Sequence, residues 1–144
     1  MNELRQRAIR LLARREHTRA ELAGKLDALG SQEEIDAVLA ELAQSGLLSD
    51  ARYAEAYVRG NAARFGDARL RQTLRRKGID GELIESQLGG RDAADELARA
   101  RAVWARKYSV PPADAREWAR QARFLQGRGF GVGIIRKLLK EPSP

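Results

Sequence analysis

Apolar side chains recur along this chain at intervals of three and four residues, and short polar stretches separate the apolar groups. Those intervals bring side chains to one face of an α-helix, so each group predicts an amphipathic helix. The clearest groups are Leu22 and Leu26; Ile35, Val38, Leu39 and Leu42; Leu70 and Leu74; and Ile135 and Leu139. We expect these side chains to form the core.

Polar residues mark where the predicted helices begin. Thr18 precedes Glu21 by three residues and Ser31 precedes Glu34 by three, which is the spacing of a capping box. Asp114, which follows two prolines, is a third helix start, and glycines mark most of the ends. The pattern predicts helices at residues 3–15, 18–29, 32–45, 50–64, 67–77, 80–88, 91–108, 113–127 and 132–140.

Three of these helices share a register that predicts an internal repeat. His17, Phe65 and Phe130 each precede a leucine or isoleucine by five residues and a second leucine by nine. The offsets between the copies are 48 and 65 residues. We therefore predict an elongated, curved, all-α protein of tandem three-helix, helix-turn-helix-like repeats. The repeats are residues 1–48, residues 49–90, and residues 91–144, which hold a linking helix and a truncated third repeat.

The composition supports an all-α fold and restricts the chemistry. The 144 residues include 24 Ala and 22 Arg but few of the β-branched residues that favour sheets. There is no Cys and only one His, so we expect no catalytic residues, no metal site and no cofactor. No apolar run is long enough to span a membrane and the first residues are charged, which predicts a cytoplasmic protein.

Charge is segregated along the chain, with a net charge of +7. Residues 59–77 and 116–140 each hold seven basic residues and one acidic residue, whereas residues 31–57 and 80–97 each hold six acidic residues and one basic residue. Such a charge distribution favours binding to a polyanion, and a solvated basic surface is the alternative. We expect the acidic segments to face away from DNA.

The basic residues of the helix predicted at 67–77 lie opposite its apolar stripe. Leu70 and Leu74 define the buried face, and Arg69, Arg71, Arg75 and Arg76 cover the opposite one. Arginines on one exposed face can bind phosphates or carboxylates through paired N–H groups. The candidate partner- or DNA-binding residues are Arg14, Arg15, Arg59, Arg64, Arg69, Arg71, Arg75, Arg76, Lys77, Arg123, Arg128, Arg136 and Lys137.

The glycine-rich run at residues 127–133 has only a superficial likeness to a nucleotide-binding loop. Its glycines occupy every second position, and no strand is predicted before it, so the phosphate-binding pattern is absent. We interpret the run as a flexible turn between helices. His17 stands at a helix start, where we expect a core or capping role rather than catalysis.

Four segments of the sequence resemble the bacterial RecX family: residues 14–22 (RREHTRAEL), 47–59 (LLSDARYAEAYVR), 70–79 (LRQTLRRKGI) and 123–130 (RFLQGRGF). The resemblance covers nearly the whole chain and is most specific in the second segment. It implies a modulator of the RecA recombinase that lies in the groove of the RecA–DNA filament. There it would alter strand exchange, ATP turnover and coprotease activity. The chain departs from the family pattern after Phe130, where Gly131-Val132-Gly133 replaces a polar helix cap.

The resemblance implies a non-enzymatic regulator of the RecA filament in DNA repair, recombination and the SOS response, whereas the composition by itself indicates only a basic helical binding protein. We expect it to inhibit the recombinase, to bind single- and double-stranded DNA weakly without sequence preference, to be a monomer and to have no membrane partner. The first alternative is a stand-alone DNA-binding protein, because residues 18–29 and their neighbours have helix-turn-helix character. A generic protein-interaction repeat is the second.

Overall fold

The computed structural model describes residues 3–140, and within that range it is helical with no β-strand. The helices are α1 (Glu3–Arg14), α2 (Arg19–Leu26), α3 (Gln32–Gln44), α4 (Asp50–Asn61), α5 (Asp67–Arg76), α6 (Gly81–Leu88), α7 (Ala93–Lys107), α8 (Ala115–Gly127) and α9 (Val132–Leu139). A 3₁₀ turn at Asp27–Leu29 follows α2. The all-α prediction is confirmed, and every predicted helix is present.

The predicted helix starts are confirmed by their capping bonds. The Thr18 hydroxyl accepts the Glu21 N–H at 3.0 Å, and the Glu21 carboxylate accepts the Thr18 N–H at 3.0 Å. Ser31 and Glu34 make the same reciprocal pair. The Asp114 carboxylate accepts the Glu117 N–H at 2.8 Å. These bonds satisfy backbone donors that have no partner inside a helix.

Helix α4 ends at Asn61, three residues before the predicted end. The Arg99 side chain meets the chain just after this end, because its Nη1 donates to the carbonyls of Ala62 at 3.0 Å and Phe65 at 3.3 Å. Carbonyls at and beyond a helix end have no partner within the helix, and Arg99 supplies one here.

The packing of the chain divides it into two units. Unit 1 contains the described residues up to Tyr57 together with Leu74–Gln87, and unit 2 contains Val58–Thr73 together with the described residues from Leu88 onward. The division passes through α4 and α5, so each of these helices contributes its two ends to different units. In α5, both Leu70 and Leu74 are fully buried, as predicted.

The core of unit 1 is made by the apolar faces of α1, α2 and α3. The predicted stripe of α3 is buried together with the two leucines of α2. Leu4, Ala8 and Leu11 of α1 complete the cluster, and their spacing of four and three residues is that of one helical face.

The second core lies in unit 2 between α7, α8 and α9. Val103 of α7, Leu125 of α8 and Ile135 of α9 are buried in it. The Trp104 indole N–H donates to the side-chain oxygen of Gln121 at 2.7 Å, which joins α7 to α8. The helix expected to link the repeats therefore also packs as one of three helices around this core.

The glycine-rich run forms the predicted turn between α8 and α9, but backbone hydrogen bonds dock its first part, which corrects the expectation that this part is flexible. The Gly66 N–H donates to the Arg128 carbonyl at 2.8 Å, and the Ala68 N–H donates to the Gly129 carbonyl at 3.2 Å. Gly129 has a φ of +96°, and a Cβ there would collide with the Cβ of Arg69. The turn before α5 and the turn after α8 can approach this closely because glycines lie at the contact.

Candidate polyanion interface

Most of the predicted contact residues are exposed. The exposed ones are Arg14, Arg15, Arg59, Arg64, Arg69, Arg75, Arg76, Arg123, Arg136 and Lys137. Arg71, Lys77 and Arg128 are partly buried. Of the four α5 arginines predicted on the exposed face, Arg69, Arg75 and Arg76 are exposed and Arg71 is partly exposed.

In unit 2, three of the predicted arginines surround the ring of Phe65. The guanidinium carbon of Arg69 lies 4.1 Å from the ring centroid, that of Arg64 lies 5.3 Å away, and that of Arg128 lies 5.8 Å away. Cations over an aromatic face are attracted by the ring quadrupole. We call Phe65, Arg64, Arg69 and Arg128 the Phe65 cluster.

The cations of the Phe65 cluster are held in place by neutral groups. Arg64 donates to the Asn61 side-chain oxygen at 2.8 Å, and Arg69 donates to the Gly127 carbonyl at 3.1 Å. Across residues 3–140, none of the three arginines forms an ion pair with a carboxylate. Their positive charge is therefore available to an anionic ligand.

A second aromatic group in the same unit carries further cations. Lys107 Nζ lies 4.5 Å from the ring centroid of Phe124, and the Arg128 guanidinium carbon lies 5.6 Å from it. The ring of Tyr108 meets that of Phe124 edge-on at 5.6 Å, and the guanidinium of Arg120 lies 5.6 Å from Tyr108. Arg128 thus belongs to both aromatic groups.

Lys107 and Arg120 were missed by the sequence analysis, which followed blocks of basic residues and helix faces. For Lys107 a usable signal was present, because a basic residue directly precedes an aromatic one in Arg52-Tyr53, Arg64-Phe65, Lys107-Tyr108 and Arg123-Phe124, whereas Arg120 precedes Gln121 and had no such signal. Alternation of basic and aromatic residues is typical of nucleic-acid-binding surfaces.

The carboxylate nearest in sequence to the Phe65 cluster neutralises other arginines. Asp67 accepts from Arg99 at 2.9 Å and from Arg91 at 3.2 Å, and its side chain is only 9% exposed. Arg99 also donates to the Phe65 carbonyl. The Asp67–Arg99 pair therefore holds the backbone that presents Phe65 and leaves the charge of the cluster unbalanced.

Unit 1 gathers two of the predicted basic residues around a carboxylate. Glu21 lies 3.3 Å from Arg15 Nη2 and 3.4 Å from Lys77 Nζ. Burial alone would raise the pKa of Glu21, but the Thr18 N–H and these two cations outweigh it and hold the pKa below its usual value. The Thr18 hydroxyl donates to the Lys77 carbonyl at 2.7 Å, which fixes the arrangement. We call Glu21, Arg15 and Lys77 the Glu21 cluster.

His17 is buried beside the Glu21 cluster and has the core role that the sequence predicts. Its Nδ1 bonds to the Arg15 carbonyl at 3.0 Å, so that nitrogen carries the proton, and Lys25 Nζ donates to its Nε2 at 3.0 Å. Burial lowers the pKa of His17, and the neighbouring cations Arg15 and Lys25 add to the decrease. The imidazole is therefore neutral near pH 7.

The other predicted residues are not brought into either cluster. In the described part of the chain, Arg14, Arg75, Arg76, Arg123, Arg136 and Lys137 are exposed and form no ion pair. Arg59 and Arg71 each have a bonding partner. None of the helices in the described residues is long and apolar enough to cross a bilayer.

Comparison with protein-family models gives three matches that follow one another along the chain. Residues 5–42 match the RecX first three-helix domain, residues 49–88 match the second, and residues 94–139 match the third. The chain belongs to the RecX family. The matched segments cover most of the chain, as the sequence resemblance led us to expect.

Relatives and solved structures agree with this assignment. The sequence is 48% identical over 138 residues to Regulatory protein RecX of Leptothrix cholodnii, covering 95% of this chain and 87% of that protein. It is 44% identical over 137 residues to Regulatory protein RecX of Chromobacterium violaceum, covering 94% and 88%. The crystal structure of RecX from Lactobacillus salivarius shares the fold, with a TM-score of 0.81, 22% identity and coverage of 96% and 93%.

Proposed function

We propose that this RecX-family chain is a non-enzymatic regulator that binds the filament of a RecA-type recombinase on DNA and inhibits its recombinase, ATPase and coprotease activities. In the cell it would act in the cytoplasm, in DNA repair and the SOS response. The Phe65 cluster is the observation that carries the proposal, because its three arginines have no carboxylate partner among the described residues.

A filament of recombinase on DNA is a polyanion along its nucleic acid and offers protein carboxylates as well. The cluster suits both, since guanidinium groups bind phosphate and carboxylate oxygens through paired N–H donors. The exposed cations outside the clusters, such as Arg75 and Arg136, add long-range attraction that speeds encounter and weakens with salt.

Co-sedimentation with preformed recombinase filaments over a salt series tests the proposal, with filament ATP turnover measured in parallel. The test variant is Arg69→Ala combined with Arg128→Ala, and the matched control is Arg116→Ala, an exposed arginine of the same unit outside the cluster. We expect the test variant to lose inhibition while its helical circular dichroism stays unchanged. The control should inhibit normally.

Two results would contradict the proposal in different ways. Wild-type inhibition by a folded test variant would move the contact away from the Phe65 cluster. Nanomolar, sequence-dependent binding to bare duplex DNA, with no effect on the recombinase, would instead favour the stand-alone DNA-binding alternative.

A further inference from the structure

The repeat register isolates Phe65 as an exception among three corresponding residues. His17 is 1% exposed and Phe130 is 2% exposed, and both belong to the interior of their units. Phe65 occupies the same register position and is partly exposed. Of the three corresponding rings, that of Phe65 alone stays partly exposed, and it is arginine side chains that lie over it.

A second register position changes the sign of its charge. Four residues after His17 stands Glu21, whose carboxylate neutralises Arg15 and Lys77. Four residues after Phe65 stands Arg69, which lies over the ring. At this register position the first copy of the repeat therefore has a carboxylate that balances its cations, and the second copy has a further cation.

The Phe65 cluster therefore combines an aromatic surface with like charges that repel one another. Three guanidinium groups lie within 5.8 Å of one ring centroid and have no carboxylate partner in the described residues. A ligand that relieves this repulsion must be anionic. A ligand that also stacks on the ring must present a π face.

A nucleotide with an unpaired base meets both requirements. In a duplex each base face is already stacked on its neighbours, so its phosphates are accessible but its π faces are not. In a single strand a base can stack on an aromatic or guanidinium surface while the adjacent phosphates meet cations.

We propose that the Phe65 cluster is a stacking site for an unpaired base of single-stranded DNA, with Arg64 and Arg128 contacting the adjacent phosphates. The proposal deepens the proposed function, because it names the unpaired strand as the part of the filament's DNA that this surface recognises. Binding of the strand can nevertheless be measured without any recombinase.

The experiment is fluorescence anisotropy with three labelled probes of equal length: oligothymidine, the same backbone with abasic sites, and a duplex. Abasic DNA keeps the phosphates and lacks the bases, so it separates stacking from charge. We expect the wild-type protein to bind oligothymidine about tenfold more tightly than the abasic strand. We expect the affinity for the duplex, per phosphate, to be no higher than that for the abasic strand.

Two substitutions at Phe65 localise the stacking. Phe65→Leu keeps an apolar side chain and should abolish the tenfold preference without changing affinity for the abasic strand. Phe65→Tyr keeps the ring and should retain the preference. Leu47→Ala, which shortens an apolar side chain that is 48% exposed in unit 1, should bind all three probes as the wild type does.

Equal wild-type affinity for oligothymidine and the abasic strand would overturn the inference, and so would an intact preference in Phe65→Leu. Unfolding midpoints of both Phe65 variants exclude loss of structure as the cause. If the preference is present but the protein does not inhibit the recombinase, the proposed function fails and the stacking site stands. If the protein inhibits the recombinase but shows no preference for oligothymidine, the stacking site fails and the proposed function stands.

Discussion

The Glu21 cluster of unit 1 and the Phe65 cluster of unit 2 start from similar sequence and end with opposite electrostatics. Each lies at a helix start in the same repeat register, and each gathers basic side chains. In unit 1 a carboxylate between Arg15 and Lys77 balances part of the charge. In unit 2 an aromatic ring occupies the centre and the charge stays unbalanced.

The difference shows that counting basic residues does not tell which of their charges are balanced by a carboxylate. Arg15 and Arg69 were both predicted as contact residues, yet Arg15 has a carboxylate partner and Arg69 has none in the described residues. An exposed cation with an internal carboxylate partner contributes less to binding an anion. Either the internal ion pair must break first, or its negative charge stays close to the ligand and repels it.

The largest effect is expected when the internal ion pairs of unit 2 are removed. Asp67→Ala leaves Arg99 and Arg91 partly buried without their carboxylate and should lower the free energy of unfolding by about 3–5 kcal/mol. Chemical denaturation measures it. Glu41→Ala, which removes an exposed pair with Arg5, should cost less than about 1 kcal/mol. Similar losses in both variants would show that the Asp67 pairs do not hold unit 2 together.

The docked glycine turn beside the Phe65 cluster offers the next largest effect. Gly129→Ala places a Cβ against Arg69 at a φ of +96°, so we expect a loss of about 1–3 kcal/mol in unfolding free energy and weaker polyanion binding. Gly127→Ala is the matched control, since its Cβ would meet no atom within 4 Å, and it should be neutral or stabilising. If Gly129→Ala is destabilised but binds polyanions as the wild type does, the turn does not contribute to the Phe65 cluster as a binding site.

Removing the counter-ion of unit 1 should make the two clusters more alike. Glu21→Gln keeps an oxygen that accepts the Thr18 N–H, so it should lower the unfolding free energy at pH 7 only through the lost charge of its pairs with Arg15 and Lys77, by about 1–2 kcal/mol. The pKa of Glu21 is below its usual value, so its stabilisation is present above pH 4.5 and is lost as the pH falls through the folded-state pKa.

Urea titrations of the wild type and of Glu21→Gln between pH 7 and pH 3 measure how the difference in their unfolding free energies changes with pH. The two unfolding free energies should approach each other below pH 4.5. A difference that is constant with pH would show that the charge of Glu21 contributes nothing. We also expect the variant to bind polyanions slightly more tightly at pH 7, because Arg15 and Lys77 are released.

The smallest effect concerns a helix cap that one copy of the register has and another lacks. Gly131 corresponds to Thr18 and has nearly the same backbone angles, with φ −76° and ψ 161° against φ −77° and ψ 160°, but it makes no side-chain capping bond. Gly131→Thr should therefore raise the unfolding free energy by a few tenths of a kcal/mol. Thermal unfolding measures the gain.

The corresponding change at Gly66 provides the contrast. A Cβ there would collide with the Gly129 carbonyl, so Gly66→Thr should destabilise the protein. A gain in stability from both substitutions would mean that the close approach of the two turns is not needed for the fold.

The local features of this protein followed from its sequence. Thr18 and Ser31 cap their helices as predicted, and Leu70 and Leu74 are buried as predicted. These features depend on side chains three or four residues apart, whose relative positions a helix fixes without help from the rest of the chain. The family resemblance was equally recognisable, and three family models confirm it.

What the tertiary structure decided was which charges are balanced and which remain available. Arg99 and Asp67 are 32 residues apart, Lys77 and Glu21 are 56 apart, and Arg69 and the Gly127 carbonyl are 58 apart. No periodicity connects such residues, because their meeting depends on how helices and turns pack. The sequence therefore determined where helices begin and which faces are apolar. Only the packing decided that Glu21 faces two cations and that the arginines around Phe65 face none of the described carboxylates, since ion pairing requires contact within about 4 Å.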